Sequence, residues 1–259
     1  MSKDRIRMHY TPNFILKKNL LFIVYFSSIF LDLSKHIVSR TKMQSFTEEN
    51  YLKIIYHLSQ NTDEAVQTNA IAEKMQTKAA SVTDMIKKLA DKQLIDYKKY
   101  QGVKLTPTGK FAAINIVRKH RLWEVFLVEK LNFKWDEVHD IAEDLEHIQS
   151  VELIERLDEF LAFPKSDPHG DPIPDKNGQF DSIPFTKLNK LKPGEQGLIM
   201  GVSEHSSIFL KHLEKLGLTL GKRLKIEEIT DFDGSVELIL GEKKISVSRE
   251  VAKHILIKL

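Results

Sequence analysis

No cysteine occurs in the 259 residues. Disulfides, thiolate metal sites and cysteine nucleophiles are excluded together, and a reducing compartment fits. Long apolar runs are missing too. The stretch 20–31 (LLFIVYFSSIFL) stops at twelve residues, short of the roughly 20 that a bilayer crossing needs. It follows Lys17 and Lys18 as an export signal would, yet no small-residue cleavage site comes after it. Nor is there a surplus of one charge to exploit. The net +3 divides unevenly: residues 1–42 hold eight basic and two acidic side chains, a balance of +6, and the 31 basic and 34 acidic residues of 43–259 leave −3. Overall basicity therefore says nothing about nucleic acid, and only local charge can. Proline is scarce, and five of the eight fall within 164–184.

With 42% apolar and 29% charged residues, the chain reads as globular, with material for two or three small domains. Residues 1–42 read as an N-terminal extension. A helix with Ser45 and Glu48 at capping-box spacing begins just after Met43. A start codon set too early is one reading of the extension, a membrane tether or an export signal the others.

From 43 to 106 the pattern is helix, helix, helix, hairpin. Tyr51, Ile55 and Leu58 recur at helical spacing before the polar 60–63 loop; a short helix over 68–75 is capped by Thr68; Val82, Ile86 and Leu89 mark one face of a helix over 79–92. Two short helices joined by a tight turn suggest helix-turn-helix. The second would be the recognition helix, with Lys78, Ala80, Ser81, Thr83, Asp84 and Lys87 outside its apolar stripe. Alternating residues on either side of Gln101-Gly102 form a wing that carries Lys98 and Lys99. Residues 68–104 hold eight lysines against four acids, a local balance of +4 suited to phosphates. A lysine-rich surface that meets protein instead is the plainer alternative.

The next block reverses the charge, with twelve acids and four bases over 120–163. A long helix over 107–131 carries His120 and Glu124 at i, i+4. The stretch 138–147, VHDIAEDLEH, sets His139, Glu143, Glu146 and His147 within roughly 100° of arc on a helix, with Val138, Ile141, Leu145 and Ile148 on the far side. Imidazole and carboxylate together suit manganese, iron or zinc. The plain alternative is a solvated acidic face with His and Glu paired along it. A further apolar face follows over 151–163.

The motifs LTPTGK, RKHRLWE, VHDIAEDLEH and DPHGDPIP, in that order, resemble the DtxR/MntR family of metal-dependent transcriptional repressors over residues 44–174. The resemblance implies a homodimer in which a divalent ion, bound between the first helix of the winged domain and the dimerisation helices, fixes the DNA-binding geometry. It implies that His120, Glu124 and His139 form an ancillary site, and that Glu143, Glu146 and His147 form a primary site, which His120 joins in the manganese branch. Glu143, a hard oxygen donor where the iron-responsive branch typically has cysteine, points toward Mn²⁺. Two positions depart from the pattern. Asn50 stands where Met or Asp is usual and offers a neutral carbonyl oxygen, and Lys53 stands where the manganese branch has Glu.

Residues 164–190 read as a proline-rich linker, whose His169 and Asp171 are of ligating type although a stiff polar turn is the simpler reading. From 191 to 259, five short strands and one helix over 206–216 resemble the small FeoA-like β-barrel of longer family members, with Glu204 and His205 as candidate ligands. The expectation is a mainly α chain with a small all-β C-terminal domain: winged helix-turn-helix at 43–106, helical metal-binding and dimerisation domain at 107–163, then linker and barrel. Its expected function is a cytoplasmic, non-enzymatic repressor of metal-homeostasis genes, activated by Mn²⁺ or Fe²⁺, bound as a homodimer to a palindromic operator, with no membrane partner for 43–259. The rivals are a metallohydrolase built on the same His and Glu cluster and a winged-helix sensor of an organic ligand.

Overall fold

The structure, a computed structural model, describes residues 45–60, 64–181 and 184–259. The extension at 1–42, with its apolar run, and most of the 60–63 loop lie outside the described residues. Three helices open the body: α1 (Phe46–Ser59), α2 (Thr68–Lys74) and α3 (Ala79–Asp91). The wing follows as β1 (Ile95–Lys98) and β2 (Gly102–Leu105), antiparallel with Ile95 opposite Leu105 and Lys98 opposite Gly102. Its turn places Tyr100 at φ +65°. The cap of α2 differs from expectation: Gln67 is the N-cap, without a side-chain hydrogen bond, and Thr68 is already helical.

The long helix α4 (Pro107–Leu131) joins the two helical parts. Thr106 caps it, its hydroxyl oxygen accepting from the Gly109 N–H at 3.1 Å. Pro107, at the first helical positions, gives up an N–H that would have had no partner. Asn132 in the left-handed region at φ +59° ends the helix. Its first half closes the winged-helix core through Ala113, Ile114, Ile116 and Val117, against Leu52, Ile55, Ile71, Ile86 and Leu89. Its second half packs Leu122, Trp123, Val125 and Leu127 on Val138, Ala142, Ile154 and Leu157. A side chain that moves on this helix is therefore felt on both sides.

Gly109 is where α4 touches the base of the wing, since a Cβ there would stand 1.8 Å from the Leu94 carbonyl oxygen. That atom is backbone and cannot swing away. Gly109→Ala should destabilise the fold by about 1–3 kcal/mol, as overpacking does, measurable as a drop in the urea midpoint. An unchanged midpoint would show that the wing base yields.

Helix α5 (His139–Leu145) is shorter than the 138–147 stretch: Val138 is its N-cap and Glu146 its C-cap. Helix α6 (Val151–Phe160) buries Ile154 and Leu157, whereas Val151, at the start of the stretch expected to present an apolar face, is 61% exposed. The C-terminal part contains β3 (Thr186–Lys187), β4 (Gln196–Val202), α7 (Ser207–Leu216), β5 (Arg223–Ile229), β6 (Val236–Leu240), β7 (Lys243–Val247), a short helix α8 (Arg249–Ala252) and β8 (Ile255–Lys258). The strands form one antiparallel sheet in the order β3-β8-β4-β5-β6-β7 around a core that includes Ile199, Leu210, Leu213, Leu238 and Ile257. The sheet has one strand more than expected, because Thr186–Lys187 pairs with β8. The hydrogen-bonded order runs from β3 to β7 without a pairing between those two among the described residues, so a closed barrel is not what the ladder shows. No helix among the described residues is long and apolar enough to cross a membrane.

Candidate metal centre

Glu124 lies on α4, one turn after His120, and its side chain is only 2% exposed. A carboxylate so deeply buried needs positive charge or donors close by. Three imidazoles supply them. His120 Nε2 is 3.1 Å from Glu124 Oε1. His139, at the start of α5, brings Nδ1 to 3.7 Å from the same oxygen, its ring edge-on to that of His120 with centroids 5.0 Å apart. His169, from the loop after α6, brings Nδ1 to 3.7 Å from that oxygen as well.

The loop is seated by its own chemistry. Gly170, at φ +90°, lies so close to β4 that a Cβ would stand 2.0 Å from the Met200 carbonyl oxygen. Val202 donates its N–H to the His169 carbonyl at 2.9 Å. Asp167 Oδ1 accepts from the backbone N–H groups of His169 (2.8 Å) and Asp171 (3.0 Å), and the Arg121 guanidinium holds Asp171 at 2.9 Å. His169 Nε2 donates to the Trp135 carbonyl at 2.8 Å, which leaves Nδ1 as the nitrogen turned toward Glu124. Fixing one imidazole nitrogen so that the other can ligate is the usual second-layer arrangement of metal sites. His205 stacks on His169 with centroids 4.9 Å apart.

Two overlapping ligand sets result, His120–Glu124–His139 and Glu124–Asp167–His169, each with its ligand atoms within 4.8 Å of one another. Their electrostatics follow from crowding imidazoles around one buried carboxylate. Burial opposes charge on His120, but hydrogen bonds to Glu124 and Glu146 outweigh it and carry its pKa up to about 9. His169 likewise rises to about 9 through Glu124 and Asp167, against its own burial. Glu124 is held well below the usual carboxylate range by the three imidazoles despite burial. Asp167 is pushed up to about 7, by burial and then by the neighbouring Glu124 and Asp171. The imidazoles thus balance the buried Glu124 carboxylate, while Asp167 resists ionising beside it. The donors are nitrogen and carboxylate oxygen, the set for a divalent first-row ion.

The remaining expected ligands are arranged differently. Glu146, fully buried, accepts from His120 Nδ1 at 2.7 Å and from the Lys53 ammonium at 2.8 Å. Glu143 is half exposed and 3.2 Å from the same ammonium. His147 pairs with Glu49 at 2.6 Å, and Phe46 stacks on its ring at 4.8 Å. Asn50 is partly exposed on α1 and belongs to neither ligand set. The structure thus brings together His120, Glu124 and His139, the group that the family resemblance implied, and adds Asp167 and His169. Of the two ligating types singled out in the DPHGDP loop, His169 and Asp171, only His169 enters a ligand set, with Asp167 in place of Asp171, and nothing in the spacing said that the loop folds back onto α4.

On the winged domain, Lys78 is the N-cap of α3, and Ala80, Ser81, Asp84 and Lys87 are exposed along that helix. Thr83 is half-buried and donates to the Ala79 carbonyl at 3.0 Å. Lys98 and Lys99 stand exposed on the wing. All of these side chains but that of Thr83 are exposed to solvent.

The family description "Iron dependent repressor, N-terminal DNA binding domain" matches residues 43–103, and "Iron dependent repressor, metal binding and dimerisation domain" matches 106–175. A solved manganese-dependent transcriptional repressor in complex with manganese is 34% identical, with a TM-score of 0.71 over 81% of this chain and 98% of that one. This chain is a DtxR/MntR-family metal-dependent repressor. The manganese regulator SloR is 39% identical, with a TM-score of 0.63 over 82% of this chain and 97% of its own. The regulator MntR of Oceanobacillus iheyensis is 36% identical over 119 residues, 46% of this chain and 80% of that protein. The iron-dependent repressor IdeR of Mycobacterium leprae is 26% identical over 219 residues, 80% of this chain and 94% of that protein. An FeoA domain matches residues 186–259, which makes this a long-form member. The family is one of transcriptional repressors and not of enzymes, so the metallohydrolase reading falls.

Proposed function

We propose that this repressor is switched by one Mn²⁺ or Fe²⁺ ion held around Glu124, acting in the cytoplasm as a homodimer on a palindromic operator that controls metal-homeostasis genes. The observation that carries the site is the sharing of Glu124 by two ligand sets. His120, Glu124, His139, Asp167 and His169 would hold the ion, and the ion would supply the positive charge that protons now provide. Glu124 sits on the helix whose first half closes the winged-helix core, so order imposed at Glu124 reaches the DNA-binding head through packed side chains. Lys78, Lys87, Lys98 and Lys99 are proposed to meet phosphates, with Ala80, Ser81, Thr83 and Asp84 toward base edges. Two heads on one dimer read two half-sites, which is why the operator is expected to be palindromic.

The test is selection of binding sites from randomised duplexes by the full chain, in Mn²⁺, in Fe²⁺ and in chelator. Enrichment of a palindrome with either metal and none in chelator is expected; equal enrichment in chelator overturns the proposal. Lys78→Ala and Lys99→Ala should each weaken binding to all duplexes alike and lower the slope of log affinity against log salt by about 1. A change of sequence preference instead would place those lysines on bases.

A further inference from the structure

The second group of carboxylates already has its cation. Lys53 on α1 reaches across to α5, 90 residues away, where its Nζ lies 2.6 Å from Glu146 Oε1, 2.8 Å from Glu146 Oε2 and 3.2 Å from Glu143 Oε1. The Lys53 side chain is 11% exposed and that of Glu146 is fully buried. His120, His147 and Glu49 nearby are engaged as well. His120 Nδ1 occupies Glu146 Oε2. Glu49 takes His147 Nδ1 at 2.6 Å and Gln149 Nε2 at 2.7 Å, with Lys119 Nζ at 3.8 Å. Although the residue types suit an ion, Glu143, Glu146 and His147 appear in none of the ligand sets found among the described residues. A divalent ion bridging Glu143 and Glu146 would have to share a few ångströms with an ammonium, and like charges at that range in a buried setting repel strongly.

We infer that Lys53 is a built-in substitute for a second regulatory metal: its ammonium fills the ion position between Glu143 and Glu146, so each subunit binds one ion and not two. The inference rests on the Glu124-centred site proposed above. It has a mechanical consequence. The ammonium ties the first helix of the winged head to α5 whether or not metal is present, so the metal-dependent share of head ordering must travel through α4 and the 167–171 loop. Lys53 acts as a positioning residue and ligates nothing.

The test is manganese stoichiometry of the full chain after equilibrium dialysis against saturating Mn²⁺, read by elemental analysis and by the electron spin resonance of the bound ions. One ion per subunit is expected for the unaltered chain. Two are expected for Lys53→Glu and for Lys53→Met, with line broadening from a neighbouring Mn²⁺. Lys53→Met adds no carboxylate to the buried cluster, so it carries the test if Lys53→Glu does not fold. Two ions in the unaltered chain, or one in the folded variants, would overturn the substitution. No ion in the unaltered chain would overturn the Glu124 site itself.

Discussion

Glu124→Gln is expected to abolish the response of DNA binding to metal while leaving the protein folded. The amide is nearly the same size as the carboxylate and can still hydrogen-bond His120 at the present 3.1 Å separation, so the packing of α4 has no reason to change. What is lost is the anion that both ligand sets share. Changes to groups that merely support a ligand cost about 10–100-fold in metal affinity. Loss of the shared ligand should reach at least the upper end, about 100-fold. Calorimetric titration with Mn²⁺ measures this directly, and gel retardation with and without chelator measures the regulatory result. Nonspecific, salt-sensitive DNA binding should persist, because it is proposed to rest on the lysines of α3 and the wing. Unchanged Mn²⁺ affinity in the glutamine variant would remove Glu124 from the site.

The second large effect is on pH. His120 and His169 have pKa values raised to about 9 in the metal-free fold. An imidazole ligates only without the proton on its ligating nitrogen, so binding near neutrality must expel about two protons, with a further fraction from Asp167, whose pKa is near 7. Affinity should therefore climb by about 100-fold per pH unit between about 7 and 9, and level off above. The stability of the metal-free protein runs the other way. A histidine whose folded pKa exceeds its ordinary value stabilises fully below about 6.5, and that contribution disappears as pH rises through about 9. Metal-free protein should lose stability over the same range in which metal affinity increases. Calorimetry in two buffers of different ionisation enthalpy counts the protons; a count of zero would mean that the imidazoles are neutral before the ion arrives.

Some of this could be read from residue order, and the boundary is physical. Helix α4 was legible to its ends because Pro107 and Thr106 start it by local chemistry and its periodicity continues to Leu131. The His120–Glu124 pair was legible because i, i+4 spacing on a helix is itself a geometric statement. The hairpin forms, but its turn falls at 99–101 and Gly102, expected in the turn, opens the second strand opposite Lys98. The partners of Lys53 were not legible, for its identity excluded ligation but could not show an ammonium meeting Glu146 93 residues on. Nor was the role of His169. A loop has no period, and only its seat on β4, through Gly170 and Val202, turns that imidazole inward. The cap of α2 failed for a smaller reason, since Thr68 has the right side chain one position too late. The sheet's open order is set by long-range pairing, about which strand patterns say nothing.

The half exposure of His139 and Glu143 has a kinetic meaning. Asp167 and His169 are buried, and their loop is pinned to β4 and to Arg121. The side chains of His139 and Glu143, by contrast, are 48% and 50% exposed. Of the proposed ligands, His139 at the start of α5 is therefore the one that solvent reaches. Exchange of an ion at the proposed site would then pass by His139, so a group that covers His139 is expected to lengthen the ion's stay without altering a single ligand.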